Sequence, residues 1–199
     1  NPRLCSLCCE KMPHGGAEVE TAILFADVRG STELAERIGP EAFANTLNRF
    51  YNTATEILIR RDATVDKLIG DEVMAFFVPG FAGPDFRQVA IDAGMTLLRA
   101  LGCGSKEGPW LPVGIGIDSG IAYVGNVGSD DYVDFTALGD PVNTAARVQA
   151  AADPGQLLVS ARTLTSIADQ YPGTTPLSLT VKGKKESVDV YSVPITQTP

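Results

Sequence analysis

The sequence predicts an α+β fold in which helices pack on a mainly antiparallel sheet. Short apolar runs of strand length occur in pairs joined by tight turns. Longer segments between them carry apolar residues at steps of three and four, which is typical of amphipathic helices. The order along the chain is strand, two helices, hairpin, helix and hairpin, followed by smaller elements. We therefore expect a ferredoxin-like core that is extended by a C-terminal α/β portion.

The first half of the chain predicts one strand, two helices and a hairpin. The strand covers residues 21–26, and the first helix begins at Ser31 or Thr32, either of which is suited to be its N-cap. Pro40 begins the second helix, at a position where its missing N–H is harmless. Two apolar runs flank Gly70 and predict a hairpin, because glycine supplies the positive φ of a tight turn. These runs cover residues 64–69 and 72–78.

The second half of the chain predicts several shorter elements. Helices are expected over residues 85–101, 140–151 and 161–169, strands over 113–117, 121–124, 156–159, 177–181 and 188–193, and an extended arm over 129–139. Asp118, Ser119 and Gly120 are expected to separate the first two of these strands.

The domain boundaries follow from where the pattern becomes regular. Residues 1–18 contain prolines and glycines without a sustained period, so we expect a linker or tail there. Residues 19–195 are predicted to form one domain, and residues 196–199 a short tail. Because the chain begins at Asn1 rather than at Met, we expect it to continue from an upstream regulatory region.

A cysteine cluster lies in the predicted linker. Cys5, Cys8 and Cys9 are followed by His14, and this spacing allows a metal knuckle with three or four ligands. The second Cys-x-x-Cys pair of a typical zinc site is missing. The alternative is a cluster of reduced cysteines in a linker, and both interpretations stay open.

Charge and composition exclude several classes of function. The formal net charge is −8, from 16 basic and 24 acidic residues, which makes nonspecific nucleic-acid or membrane binding unfavourable. No apolar run approaches the ~18 residues of a membrane span, and there is no secretory signal, so we expect a cytoplasmic domain. The single histidine, His14, lies outside the patterned region, which excludes Ser-His-Asp catalysis in the core.

Two aspartates mark a candidate metal site. Asp27 ends the first predicted strand, and Asp71 lies at the tip of the hairpin. A ferredoxin-like arrangement would bring their carboxylates to one point, where they suit a hard cation such as Mg²⁺. The segment 28–32 then enters a helix N-terminus, which suits phosphate oxygens. The alternative is that Asp27 caps a helix and Asp71 is a turn residue.

Two other groups of polar residues are candidates for ligand binding. Asn143 and Arg147 are four residues apart on one predicted helix face, where they could hold a sugar and a phosphate or could form an ordinary surface. Lys182 begins a basic cluster that either binds phosphate or lies in a solvated turn. Asp66 and Glu72, which neighbour the hairpin tip, are expected to be solvated charges.

Five short motifs between Leu24 and Tyr191 resemble the catalytic domain of class III nucleotide cyclases, the adenylate and guanylate cyclase family. One such motif would be a weak signal, but five in order at the family's spacing are a strong one. They are Phe25-Ala26-Asp27-Val28-Arg29-Gly30-Ser31-Thr32, Lys67-Leu68-Ile69-Gly70-Asp71, Gly125-Asn126-Val127-Gly128, Gly139-Asp140-Pro141-Val142-Asn143-Thr144-Ala145-Ala146-Arg147, and Val181-Lys182-Gly183-Lys184.

The resemblance implies a head-to-tail homodimer with ATP-binding sites at its interface. It assigns two Mg²⁺ or Mn²⁺ ions to Asp27 and Asp71, with the carbonyl of Val28 as a further ligand. One subunit would supply these ligands, and its partner would supply the purine site and the arginine. The remaining implied roles are triphosphate binding by the backbone of Arg29, Gly30, Ser31 and Thr32 and by Lys182, purine recognition by Lys67 and Thr136, ribose orientation by Asn143, and transition-state stabilisation by Arg147.

Two positions depart from the pattern of many relatives. Thr136 stands where many members carry Asp, and this version resembles the subclass that contains bicarbonate-responsive soluble cyclases. Pro112 stands where some relatives have an arginine that contributes to phosphate binding.

The expected activity is therefore that of an adenylate cyclase, a phosphorus–oxygen lyase that converts ATP to 3′,5′-cyclic AMP and pyrophosphate. The alternatives are a guanylate cyclase and a catalytically silent module that binds nucleotide or dimerises. Retention of Asp27, Asp71 and Arg147 favours an active enzyme over the silent module.

Overall fold

A computed structural model describes residues 15–129, 133–179 and 188–195. The strands are β1 (Gly15–Val28), β2 (Thr64–Ile69), β3 (Glu72–Phe77), β4 (Val113–Gly128), β5 (Val133–Leu138), β6 (Leu157–Ser160), β7 (Thr175–Leu179) and β8 (Val188–Val193). The helices are α1 (Ser31–Ile38), α2 (Pro40–Arg60), α3 (Pro79–Ala82), α4 (Phe86–Ala100), α5 (Asp140–Ala150) and α6 (Ala161–Leu164), with a 3₁₀ helix over Thr165–Gln170.

The strands described form one sheet, in the order β2-β3-β1-β4-β6-β8-β7, with β5 paired to β4. All the pairings are antiparallel except that of β4 with β6. The predicted α+β class with a mainly antiparallel sheet is confirmed. β1 is central, because it pairs with β3 along one edge and with β4 along the other.

The sheet buries side chains on both faces because alternate residues of a strand point to opposite sides. In β1, Ala22, Leu24 and Ala26 belong to the main core, which also takes residues from α2 and α4. Ile23 and Phe25 face the other way, into a smaller core that includes Ala145 of α5 and its neighbours. The face under α5 is the one from which Asp27 projects, since Asp27 continues the alternation of Ile23 and Phe25.

Two strands are longer than predicted, because they pair with each other over their whole length. β1 begins at Gly15, so residues 15–18 belong to the sheet rather than to the predicted linker. β4 is one strand of 16 residues instead of two. Residues 118–120, which were expected to interrupt it, stay in the ladder opposite residues 21–23 of β1.

Other boundaries differ in the helices. The N-cap of α1 is Gly30, in the left-handed region at φ 68°, and no side chain caps this helix. The helix predicted over 161–169 is the four-residue α6 followed by the 3₁₀ turn. The predicted start of α2 at Pro40 and the hairpin around Gly70 are confirmed. None of the helices in the described ranges is long and apolar enough to cross a lipid bilayer.

α5 lies directly on β4, and glycines make this approach possible. A Cβ atom added to Gly116 would overlap the backbone of Gln149 in α5, and one added to Gly114 would lie 2.6 Å from Nε of Arg29. A side chain at Gly116 would push α5 and its outward residues away from the sheet, and one at Gly114 would displace the side chain of Arg29.

We predict that Gly116→Ala destabilises the fold by about 1–3 kcal/mol, the usual cost of forcing extra atoms into a packed interface. Thermal unfolding measures this loss. Gly80→Ala is the matched control, because an added Cβ there meets nothing within 4 Å. Equal melting temperatures for the two variants would contradict the close packing of α5 on β4.

Candidate active site

The structure brings Asp27 and Asp71 together at one edge of the sheet. Asp27 lies near the end of β1, and the backbone N–H of Val28 donates to the carbonyl of Asp71 at 3.3 Å. Burial raises the pKa of the Asp27 carboxyl, and the nearby Asp71 charge raises it further. The side chain of Asp27 keeps 22% of its surface exposed, so a ligand can reach it.

A third carboxylate belongs to this cluster. Glu72 pairs with Asp27 across β1 and β3 and is only partly exposed. Burial raises the pKa of Glu72, and the charges of Asp27 and Asp71 raise it further. The prediction that Glu72 is a solvated charge is therefore wrong, since strand pairing places it beside the two aspartates.

Arg29 is the cation nearest to these carboxylates. Its Nη1 lies 3.4 Å from Oδ2 of Asp27, and its Nη2 donates to the carbonyl of Gln149 in α5. Its backbone N–H donates to the carbonyl of Pro112 at 2.8 Å. The Arg29 amide is thus already occupied, whereas the amides of residues 30–32 have no partner within the described part of the chain.

A cleft of about 370 Å³ opens beside Asp71. Gly70 holds the hairpin turn at φ 61°, and the Tyr51 hydroxyl of α2 donates to the carbonyl of Gly70. The start of α1 and its free amides form one wall. The lining residues are Ser31, Thr32, Ala35, Glu36, Phe43, Leu47, Gly70 and Asp71.

A somewhat larger depression of about 440 Å³ lies elsewhere, next to Cys103 and Pro194. Among the described residues that line it, only Asp153 is charged. We place the candidate site at the smaller cleft, because that cleft adjoins the paired carboxylates and the larger depression does not.

A second polar cluster joins β2 to β5. Nζ of Lys67 lies 3.0 Å from Oδ1 of Asp66 and also pairs with Asp134. The hydroxyl of Thr136 donates to Oδ2 of Asp66 at 2.7 Å. Burial alone lowers the pKa of Lys67, but hydrogen bonds to Asp134 and Asp66 outweigh it and raise this pKa above its usual value. The cluster holds an ammonium donor and a hydroxyl side by side.

Asp66 is not the solvated charge that the sequence suggested. Its side chain has no exposed surface. A bulge in β2 explains this position, because Val65 pairs with Ala75 and Lys67 with Met74, which leaves Asp66 as an extra residue. The spacing of apolar residues does not reveal a single-residue bulge, so sequence reasoning missed it.

α5 presents Asn143 and Arg147 on its outer side. Asn143 is exposed and Arg147 is partly exposed. The guanidinium of Arg147 makes no hydrogen bond or ion pair to any residue within the described ranges. Both side chains are therefore available to a ligand or to a second molecule.

An ion pair between the buried Asp118 and the partly exposed Arg162 lies at the start of α5. Asp118 has no exposed surface and binds the guanidinium of Arg162 through two hydrogen bonds, one of them 2.7 Å long. The same guanidinium reaches Asp140, the first residue of α5, at 3.1 Å. Sequence reasoning missed this contact, because Asp118 was assigned to a turn between two strands.

The described contacts define two groups of interacting residues: Asp27, Asp71, Glu72 and Arg29 form one, and Asp66, Lys67, Asp134 and Thr136 form the other. Asp71 and Arg29 shift the pKa of Asp27, whereas neither Lys67 nor Arg147 is among the described groups that do so. Lys182 and the cluster of Cys5, Cys8, Cys9 and His14 lie outside the described residues.

The carboxylates fit a divalent cation, but they do not complete its coordination. No group of three or more histidine, cysteine, aspartate or glutamate side chains in the described ranges is arranged to hold a metal ion. Burial and the charge of Asp71 raise the pKa of Asp27, and a bound cation would stabilise its ionised form against both effects. Further oxygen ligands would have to come from the backbone or from a bound phosphate, as is usual for Mg²⁺.

Comparison with known proteins assigns the family. A model of the Adenylate and Guanylate cyclase catalytic domain matches residues 17–194. The chain belongs to this family. Its match with the uncharacterized protein Rv1318c of Mycobacterium tuberculosis is 30% identical over 176 residues, 87% of this chain and 32% of that protein. The chain thus spans about a third of the length of this curated relative.

Two solved cyclases show the same architecture. The adenylyl cyclase CyaB from P. aeruginosa is 29% identical, with a TM-score of 0.79 over 91% of this chain and 96% of that one. The guanylyl cyclase Cya2 is 27% identical, with a TM-score of 0.82 over 93% of this chain and 96% of that one. The similar proteins thus include enzymes named for either nucleotide.

We predict that Asp27→Asn raises the melting temperature of the metal-free domain at neutral pH. A raised folded-state pKa means that ionised Asp27 opposes folding above its usual titration range, and asparagine removes that penalty. Mn²⁺ should stabilise the wild type and have a smaller effect on the variant, because a ligand is lost. Thermal unfolding in EDTA and in Mn²⁺ measures both effects.

The matched control for this prediction is Asp169→Asn, which changes an exposed carboxylate outside the cluster. It should leave the Mn²⁺ effect intact. If Asp27→Asn kept the full Mn²⁺ stabilisation, the carboxylate pair would not be a metal site.

Proposed function

We propose that this domain is an adenylate cyclase that converts ATP to 3′,5′-cyclic AMP and pyrophosphate at the interface of a head-to-tail homodimer. The observation that carries the proposal is that one chain holds both a carboxylate cluster at Asp27 and Asp71 and a second cluster in which Asp66 contacts Lys67 and Thr136. Such a domain would work in the cytoplasm under an upstream regulatory region.

Two divalent ions, Mg²⁺ or Mn²⁺, would be held by Asp27, Asp71 and the carbonyl of Val28. When bound, they would supply Lewis acidity that lowers the pKa of the ribose 3′-hydroxyl and offsets phosphate charge. Glu72 adds negative charge to this site without an assigned role as a ligand.

The chain's own groups would orient the triphosphate. The free amides of Gly30, Ser31 and Thr32 suit phosphate oxygens at the start of α1. Arg29 acts through its side chain, which holds Asp27 against α5, rather than through its occupied amide. Lys182 would add a further cation to the phosphates.

The partner subunit would supply the groups on α5. Arg147, whose guanidinium has no partner in the described part of the chain, can meet the charge that develops at the α-phosphate, and Asn143 can orient the ribose. In the head-to-tail dimer, these groups would face the carboxylates of the other chain.

The base-binding groups favour adenine. The ammonium of Lys67 has only donors and suits N1 of adenine, while the Thr136 oxygen can accept from the N6 amino group. Guanine presents a donor at N1 and an acceptor at O6. Thr136 also supports our assignment of this domain to the subclass that contains bicarbonate-responsive soluble cyclases.

The first alternative is a guanylate cyclase, and the similarity to the guanylyl cyclase Cya2 supports it. The second is a catalytically silent module, which the retained Asp27, Asp71 and Arg147 disfavour. Incubation of the protein with ATP or GTP and Mn²⁺, followed by product identification, separates all three.

We predict that the wild type prefers ATP over GTP by roughly five- to a hundred-fold in kcat/KM, because a buried unpaired donor costs about 1–3 kcal/mol. Lys67→Glu should lower turnover of ATP and narrow this ratio, since glutamate can accept from guanine N1–H. The measurement is kcat/KM for both nucleotides. A preference of the wild type for GTP would contradict the adenylate cyclase proposal and would support a guanylate cyclase.

We also predict that two inactive variants complement each other. Asp71→Ala removes a metal ligand and Arg147→Ala removes the arginine of the other half-site, so a heterodimer retains one intact site. Mixing the two proteins should restore up to about half the activity per heterodimer, with either variant alone as the control. Heterodimers that form without any recovery would contradict the shared site.

A further inference from the structure

We propose that Asp66 is a positioning residue that sets the purine preference of this domain by orienting the hydroxyl proton of Thr136. The inference rests on the proposed function and deepens it, because it assigns a cause to the choice between adenine and guanine. It concerns a residue that the cyclase motifs do not assign.

The first step is the position of the Asp66 carboxylate between the two base-binding groups. Oδ1 lies 3.0 Å from Nζ of Lys67, and Oδ2 lies 2.7 Å from the Thr136 hydroxyl. The backbone N–H of Ala137 reaches Oδ2 at 3.4 Å. One buried carboxylate therefore contacts the side chains of both Lys67 and Thr136.

The second step is the direction of the hydrogen bond. A threonine hydroxyl has one proton, whereas an ionised carboxylate only accepts. At 2.7 Å the Thr136 hydroxyl donates to Asp66, since that is the usual length of an O–H···O bond. The other acceptor near this hydroxyl, the carbonyl of Ala137, is 3.5 Å away and cannot compete. The hydroxyl proton is thus used in a hydrogen bond within the chain and is not available to a ligand.

The third step is what remains for a ligand. With its proton committed, the Thr136 oxygen can only accept from a base. Lys67 forms ion pairs with Asp66 and Asp134, and its ammonium can only donate to a base. The pair therefore presents one acceptor and one donor, which matches the N6 amino group and the N1 acceptor of adenine. Guanine has the opposite polarity at both atoms.

Without Asp66 the Thr136 hydroxyl would not discriminate. A free hydroxyl rotates to donate to guanine O6 as readily as it accepts from adenine N6. The bulge in β2 is what places the carboxylate within reach, and complete burial keeps water from taking its place. The preference at Thr136 consequently depends on a residue that need not touch the base.

The test is Asp66→Asn, which keeps the shape of the side chain but can turn an amide donor toward Thr136. The Thr136 oxygen would then accept from Asn, and its proton would be free for guanine O6. We expect the ATP/GTP ratio of kcat/KM to fall about tenfold, the size of one mispaired hydrogen bond. Equilibrium binding of Mn²⁺-ATP and Mn²⁺-GTP should show a similar decrease in the preference for ATP.

A double-mutant cycle separates orientation from a general structural effect. Thr136→Val removes the hydroxyl and should also lower the ATP/GTP ratio of kcat/KM. In a Thr136→Val protein, adding Asp66→Asn should not change this ratio further. Asp134→Asn is the matched control, because Asp134 pairs with Lys67 and makes no hydrogen bond to Thr136 in the described structure. It should alter turnover of both nucleotides while leaving the ratio near that of the wild type.

The outcomes are distinguishable from failure of the proposed function. A wild type that forms no cyclic nucleotide would overturn the adenylate cyclase proposal, while the ratio of binding constants would still decide the role of Asp66. An unchanged ratio in Asp66→Asn would overturn the inference. If that variant did not fold, an unchanged ratio in Thr136→Val would overturn it equally.

Discussion

The antiparallel pairing of β1 with both β3 and β4 is the constraint on which the rest of the structure depends. Because β1 lies between these strands, its end brings Asp27 to the hairpin turn that holds Asp71. The same pairing sets Asp27 opposite Gly114, so that Arg29 can cross β4 and reach α5. A shift of one residue in this register would turn Asp27 into the main core and remove the carboxylate pair.

The carboxylate cluster costs folding free energy. Burial raises the pKa values of Asp27 and Glu72, and the neighbouring negative charges raise them further. The positive charge of Lys67 is paired with Asp66 and Asp134 rather than with this cluster. Under the proposed function, bound metal ions would offset this cost.

Much of the framework could be predicted from the sequence, because it follows from local rules. The alternation of β1, the turn at Gly70 and the start of α2 at Pro40 each depend on a few neighbouring residues. The missed features depend on distant ones. Asp66 is buried by a bulge and by β5, and Asp118 is buried by Arg162, 44 residues further along the chain. Periodicity does not report such partners, so both aspartates resembled solvent-facing charges.

The central proposal is that each active site needs two chains, one supplying Asp27 and Asp71 and the other supplying the base-binding residues. The most direct test is the specific activity with Mn²⁺-ATP as a function of chain concentration, with the oligomeric state measured in parallel by sedimentation. We expect specific activity to fall toward zero as the dimer dissociates and to follow the dimer fraction. A constant specific activity at concentrations where the protein is monomeric would contradict the account.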